Sequence, residues 1–198
     1  MIVIDIETTG EIPWLHSILS IGAVDFSNPE NQFYGECRMR EGSKLDPVAL
    51  QINGFTREGI KARGKKPLKT LLEEFLDWTS KIEDITLAGL NHYMDVYFIN
   101  HSLELCRIRN PFKYRLVDIH TITYANYLMR GIKPPLENKG SAMKSNVIQE
   151  YCGLPVEPYP HNALTGAKLE AEELCRLIYG KNLLSEYRKF KIPEYLKK

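Results

Sequence analysis

Cysteine is sparse, with four in 198 residues, and Cys37, Cys106, Cys152 and Cys175 are too far apart to form a C-x-x-C pair. A zinc knuckle and a dithiol redox motif are thereby excluded, and reduced core thiols are the expectation. No apolar run approaches the roughly 20 residues that span a bilayer, and the amino terminus lacks the layout of a signal peptide. A cytoplasmic location with no membrane partner is therefore expected. Charge of one sign is also scarce: the formal net charge is +1, so any nucleic-acid contact must use local basic patches or bound metal. No repeat, low-complexity tract or long linker interrupts the chain. With 43% hydrophobic and 26% charged residues it has the composition of a folded globular protein. The expectation is one domain over 1–180, followed by a helical, basic tail over 181–198.

Met1 to Glu7 reads MIVIDIE, a short β-branched apolar run, and Thr8-Thr9-Gly10 supplies turn chemistry after it. Ser17 to Phe26 and Gln32 to Arg40 read as two more strands, turning at Asn28-Pro29, so the chain should begin as an antiparallel meander. From Pro67 the period changes. Leu68, Leu71, Leu72, Phe75, Leu76 and Trp78 recur at helical spacing. Ile85 to Asn91 then reads as a strand, Met94 to Arg107 as a helix, and Arg115 to Ile122 as a strand running into another helix. Such alternation implies parallel crossovers, hence an α/β fold with a mixed sheet between helices. Gly131 to Gly140 is expected as a mobile loop. Helices should close the chain at Ser141 to Tyr151 and Asn162 to about Lys181.

Asp5 and Glu7, two residues apart on a strand, share one face. Paired carboxylates at a buried strand end repel each other and lose hydration, a cost of several kcal/mol that a hard divalent cation would offset. Alternatively, one of them points to solvent. Asp95 lies at a strand-to-helix junction, where α/β sheets place ligands, although an acid in a first helical turn also suits the macrodipole. His161 precedes a helix start, where an imidazole that titrates near neutrality suits a general base or serves as an ordinary cap.

Taken together and in order, these segments resemble the DEDD exonuclease superfamily, in its His-type branch. Val3-Ile4-Asp5-Ile6-Glu7-Thr8-Thr9-Gly10 matches the first motif, and Ile18 to Val24 the strand after it. Gly89 to Ile99 matches the second motif with Asn91, Asp95 and Phe98 in register. Ile52-Asn53-Gly54-Phe55-Thr56 resembles the family's I-x-G-I-T stretch, and His161-Asn162-Ala163-Leu164 the start of the last motif.

The resemblance implies a ribonuclease H-like fold and a 3'-5' exonuclease that releases nucleoside 5'-monophosphates from the 3' end of DNA or RNA. It implies two Mg²⁺ or Mn²⁺ ions about 3.5–4 Å apart. Asp5 would bridge them, Glu7 and Asp95 would complete the shells, and His161 would deprotonate the attacking water. Thr8, Thr9, Gly10, Asn91 and Phe98 would contact the terminal nucleotide. A polymerase or another replication or repair protein is a conceivable partner. One departure matters: the family's fourth acid, five residues after the His, is here Gly166. Glu170, one helical turn on, is the nearest substitute, though a solvated helix acid is the plainer reading. A degenerate relative that binds nucleic acid or a protein with little cleavage is thus a second reading, and a phosphohydrolase for small nucleotides a third.

Overall fold

The computed structural model describes residues 1–198 in full. Seven residues of the first apolar run form β1 (Ile2–Thr8), and its side chains alternate between two cores. Ile2, Ile4 and Ile6 enter one, while Val3 enters the other. The same period of two therefore sends Asp5 and Glu7 to the Val3 side. β1 pairs antiparallel with β2 (Ile18–Asp25), which pairs antiparallel with β3 (Gln32–Glu36). On its other edge β1 runs parallel to β4 (Leu87–Gly89), and β4 to β5 (Val117–Asp118). The sheet order is β3-β2-β1-β4-β5, so the chain crosses over at β1 after completing its meander. In α/β sheets the crevice at such a reversal, beyond the carboxyl ends of the strands, is where ligands bind.

Six helices accompany the sheet: α1 (Pro47–Asn53), α2 (Leu68–Thr79), α3 (Tyr93–Leu105), α4 (Ile119–Met129), α5 (Ser145–Tyr151) and α6 (Ala163–Tyr179). α2 and α3 share the core of Ile2, Ile4 and Ile6, with Leu68, Leu71, Leu72 and Phe75 inward as their spacing predicts. α4, α5 and α6 share the core of Val3. α6 starts where Asn162 Oδ1 accepts from the Leu164 and Thr165 N–H groups, and it stops at Gly180, whose φ of 64° is left-handed. Gly22 lets this helix lie directly on β2. A Cβ there would sit 2.1 Å from the Ala163 carbonyl, so any side chain would push α6 off the sheet.

Several expectations shift: the strand expected over Gln32 to Arg40 ends at Glu36, and the helix expected from Ser141 begins at Ser145. The strand expected over Arg115 to Ile122 is only Val117–Asp118, because the Asp118 carboxylate accepts from Thr121 N–H and caps α4 instead. The segment Gly131 to Gly140 ends in a small hairpin, β6 (Leu136–Glu137) with β7 (Gly140–Ser141), turning at Asn138 and Lys139 with positive φ. α1, which the sequence did not announce, is capped by Asp46 with Pro47 in its first turn. The expected tail, 181–198, carries two short 3₁₀ turns, and its Leu184, Tyr187, Ile192 and Leu196 are buried in the Val3-side core. No helix is long and apolar enough to cross a membrane.

Candidate active site

Asp5 and Glu7 reach the site from β1, and Asp95 arrives from the first turn of α3 after β4. Burial holds the Asp5 carboxyl well above the usual range, and the charges of Asp95, Glu7 and Glu157 raise it further. Asp95 is pushed up to about 8, first by burial and then by Glu7, against the pull of backbone N–H groups. Glu7 rises to about 7 through burial and the charge of Glu157, with Asn53 pulling the other way. Three oxygen-donor side chains therefore gather around one strand end, close enough for Asp5 to feel the charge of the other two, and no cationic side chain offsets them. That donor set fits a hard divalent cation such as Mg²⁺ or Mn²⁺.

Gly166 stands over this group. An ideal Cβ at 166 would lie 2.0 Å from Asp5 Oδ2, so the Asp5 carboxylate fills the space that a side chain at 166 would take. Glu170 is not a solvated helix acid. Its Oε2 accepts from the Leu90 N–H at 3.1 Å, at the turn leading into α3. Burial, then Asp5, Glu173 and Asp95 hold its carboxyl well above the ordinary value. Asp118 supports the same turn by accepting from the Asn91 N–H at 3.0 Å, where Asn91 adopts a φ of 49°.

α1 links the first and last motifs. Asn53 Nδ2 donates to the Thr8 carbonyl at 3.1 Å, and the Ile52 carbonyl accepts from the His161 N–H at 2.9 Å. His161 is thereby brought to the Glu7 side of the site, its side chain 29% exposed. Thr9, expected at the substrate, is fully buried, with its hydroxyl donating to the Lys44 carbonyl and accepting from Ser17 N–H. Its own N–H donates to the Ser17 carbonyl, so Thr9 braces the turn rather than facing the cleft. Phe98 is 3% exposed and belongs chiefly to the α2–α3 core. What faces outward is a hollow of about 390 Å³ lined by Ile6, Thr8, Glu11, Tyr93, Met94, Asp95 and Phe98. A second hollow, of about 180 Å³, shares Ile6, Thr8 and Glu11 and adds Gly10 and the α1 residues Val48, Ala49, Ile52 and Asn53.

Two participants escaped the sequence reading. Glu157, in the Pro-rich loop before α6, lies 3.6 Å from His161 Nδ1, and Tyr159 packs its ring 4.6 Å from the imidazole. No periodicity marks a residue in such a loop, and the only signal was its place four residues before the His. Among the basic residues, Lys65 and Lys66 pair with Glu36 and Glu74, and Lys144 with Glu137. Arg38, Lys61 and Arg63 instead line a separate groove of about 540 Å³ with Met39, Glu41 and Gly42.

The exonuclease family model RNase_T matches residues 2–174. The chain belongs to this exonuclease family. Among its relatives, the 3'-5' DNA exonuclease Cap18 of Escherichia coli is 29% identical over 94% of this chain and 93% of its own length. The DNA polymerase III subunit epsilon of Rickettsia prowazekii is 30% identical over 91% of this chain and 74% of its own. The nuclease domain of 3'hExo, a DEDDh family member solved bound to rAMP, superposes with a TM-score of 0.69 at 17% identity, covering 98% of this chain and 95% of that one. The fold is therefore the ribonuclease H-like one of these exonucleases, as the first, second and last motifs of this RNase_T exonuclease implied.

Proposed function

We propose that this exonuclease removes nucleotides from the 3' end of nucleic acid with the help of divalent metal. The observation that carries the reading is the group of Asp5, Glu7 and Asp95 at the sheet crossover, each with its carboxyl raised by burial, Asp5 further by Asp95 and Glu7, Asp95 by Glu7, and Glu7 by Glu157. Asp5, Glu7 and Asp95 would hold two Mg²⁺ or Mn²⁺ ions. When bound, such ions polarise the scissile phosphate and stabilise both the attacking and the leaving oxygen. His161 takes the proton from the attacking water. The water oxygen bonds to phosphorus, the bond from phosphorus to the 3'-oxygen of the penultimate nucleotide breaks, and that oxygen leaves with a proton. The product is a nucleoside 5'-monophosphate. Thr8, which lines both hollows, and Gly10, which lines the second, receive the terminal nucleotide, and the exposed rings of Tyr93 and Tyr97 offer faces for the next bases. The groove of Arg38, Lys61 and Arg63 offers positive charge to the backbone.

A second reading, in which the protein binds nucleic acid with little cleavage, draws on Gly166, where the fourth acid is missing. Incubation with 5'-labelled DNA and RNA oligomers in Mg²⁺, Mn²⁺ or chelator decides between them. Metal-dependent shortening one nucleotide at a time is expected, and metal-supported binding without shortening would establish the second reading. His161→Ala should lower turnover by about 10²–10⁴ with little change in substrate affinity.

A further inference from the structure

Glu157 brings to the site a carboxylate that none of the family motifs supplies. A carboxylate oxygen of Glu157, one of Glu7 and an imidazole nitrogen of His161 all lie within 4.8 Å of one another. Donors bound to one ion at about 2.0–2.2 Å are at most about 4.4 Å apart, so movements of a few tenths of an ångström would bring all three onto a single cation. The backbone that carries them is fixed. Glu157 N–H donates to Gln149 Oε1 at 3.2 Å, Glu157 Oε1 accepts from the Asn162 N–H at 3.3 Å, and His161 N–H is held by Ile52. The Glu157 side chain is 10% exposed.

An independent observation points into the same place. Ser20 stands directly opposite Glu7 in the β1–β2 ladder and is fully buried, and its hydroxyl has no partner in good hydrogen-bond geometry, with only the Tyr34 phenol within loose reach. It lines a cavity of about 180 Å³ together with Glu7 and His161. A buried hydroxyl left alone costs about 1–3 kcal/mol, and water on a cation held by Glu7 and His161 would satisfy it.

We propose that Glu7, Glu157 and His161 form a binding site for a transition-metal cation of the Zn²⁺ or Mn²⁺ class, adjoining the Asp5–Asp95 group and sharing Glu7 with it. One nitrogen and two carboxylates make a donor set that favours Zn²⁺ or Mn²⁺ over Mg²⁺, which prefers oxygen and water. The site rests on the metal-dependent reading above only through Glu7. In this chain the carboxylate missing at position 166 thus has a counterpart that enters from the loop before α6. Occupancy also ties up His161, so Zn²⁺ opposes any Mg²⁺-supported cleavage.

The test uses the full chain without nucleic acid, in excess Mg²⁺, titrated with Zn²⁺ by calorimetry while the histidine ring nitrogens are followed by NMR. One equivalent of Zn²⁺ should shift a single ring among the five histidines, and that signal should be absent in His161→Gln. Glu157→Gln keeps an oxygen for the Asn162 N–H and removes a charge that repels Glu7, so its melting temperature should not fall below the wild-type value, while Zn²⁺ affinity falls at least about tenfold and Mg²⁺ affinity stays within about twofold. An unshifted His161, an unchanged Zn²⁺ affinity in Glu157→Gln, or equal losses for Zn²⁺ and Mg²⁺ would overturn the site. Cleavage of a DNA oligomer in Mg²⁺ alone is measured in parallel. Its absence alongside the His161 shift sinks the exonuclease reading and leaves this site standing, and the reverse pattern sinks only this site.

Discussion

Asp5 can lean toward α6 only because residue 166 has no side chain: Oδ2 lies 2.0 Å from where a Cβ would be. Gly166→Ala adds no charge, yet it must displace the Asp5 carboxylate. It should weaken Mg²⁺ binding and lower cleavage by at least about tenfold, equivalent to about 1.4 kcal/mol. Gly166→Asp restores the family's acid but sets a second carboxylate against Asp5. In chelator it should melt below the wild type at pH 8 and recover when Mn²⁺ is added, since like charges at such range repel until a cation joins them. Melting curves for both variants with and without metal check this, and a Gly166→Ala protein with wild-type metal affinity would refute the steric account. Glu170 belongs to the same scale of argument. The sequence placed it one turn beyond Gly166, but only the fold shows that its carboxylate is tied to Leu90 N–H rather than solvated.

At the scale of elements, the placement of His161 depends on a contact with no chemistry of its own. Gly22 of β2 faces the first turn of α6, and a methyl there would meet Ala163 and Leu164 backbone atoms at 2.1 to 2.2 Å. Gly22→Ala should therefore cost about 1–3 kcal/mol in denaturant unfolding, as overpacking typically does, and should also reduce turnover by shifting the His161 end of α6. Unchanged midpoint and turnover would show that the helix can retreat freely. Elements with strong patterning are legible in the sequence: β1 and β2 are apolar runs buried almost throughout, and α2 buries residues that its helical spacing selects. α1 is not, because seven residues give too few turns for a period, and its Asp46-Pro47 start reads equally well as a turn. β5 is shorter than expected because Arg115 to Ile122 has strand composition, whereas the Asp118 cap starts α4 at Ile119. Asp5, Glu7, Asp95 and His161 stand out as candidates in the sequence through their joint spacing. Glu157 does not, since only tertiary structure brings the loop before α6 to Glu7.

Over the whole molecule, two buried charge systems set the stability. One fastens the chain after Gly180. Arg176 and Glu172, both fully buried, pair at 2.9 Å; Arg176 donates to the Tyr187 and Phe190 carbonyls, and Glu172 accepts from Leu183 and Leu184 N–H. Arg176→Met strands Glu172 without its partner and should cost about 3–5 kcal/mol, read as a lower denaturant midpoint that Glu172→Gln partly restores in the double variant.

The other system is the acidic group around Asp5, and its effect on stability depends on pH. Glu7 is raised from 4.5 to about 7 and Asp95 from 3.8 to about 8, while Asp5, Glu170 and the buried Glu173 lie well above their ordinary values. Between those limits the native state keeps protons that the unfolded chain has released, so the slope of unfolding free energy against pH is negative. The stabilisation is complete below about pH 4 and is lost as pH rises toward about 8. Asp25, Glu36 and Asp118 are shifted downward, and their opposite contribution is already complete above about pH 5, so it does not mask the trend. In chelator the melting temperature should therefore fall between about pH 5 and about pH 8, less steeply in Asp5→Asn. Saturating Mg²⁺ or Mn²⁺ should flatten the curve, because cation binding favours the ionised carboxylates and adds stability through linkage with the folded state. A melting temperature that is level or rising across this window in chelator would mean that the carboxylates of Asp5, Glu7 and Asp95 ionise freely in the fold, and the electrostatic argument for a cation between them would fail.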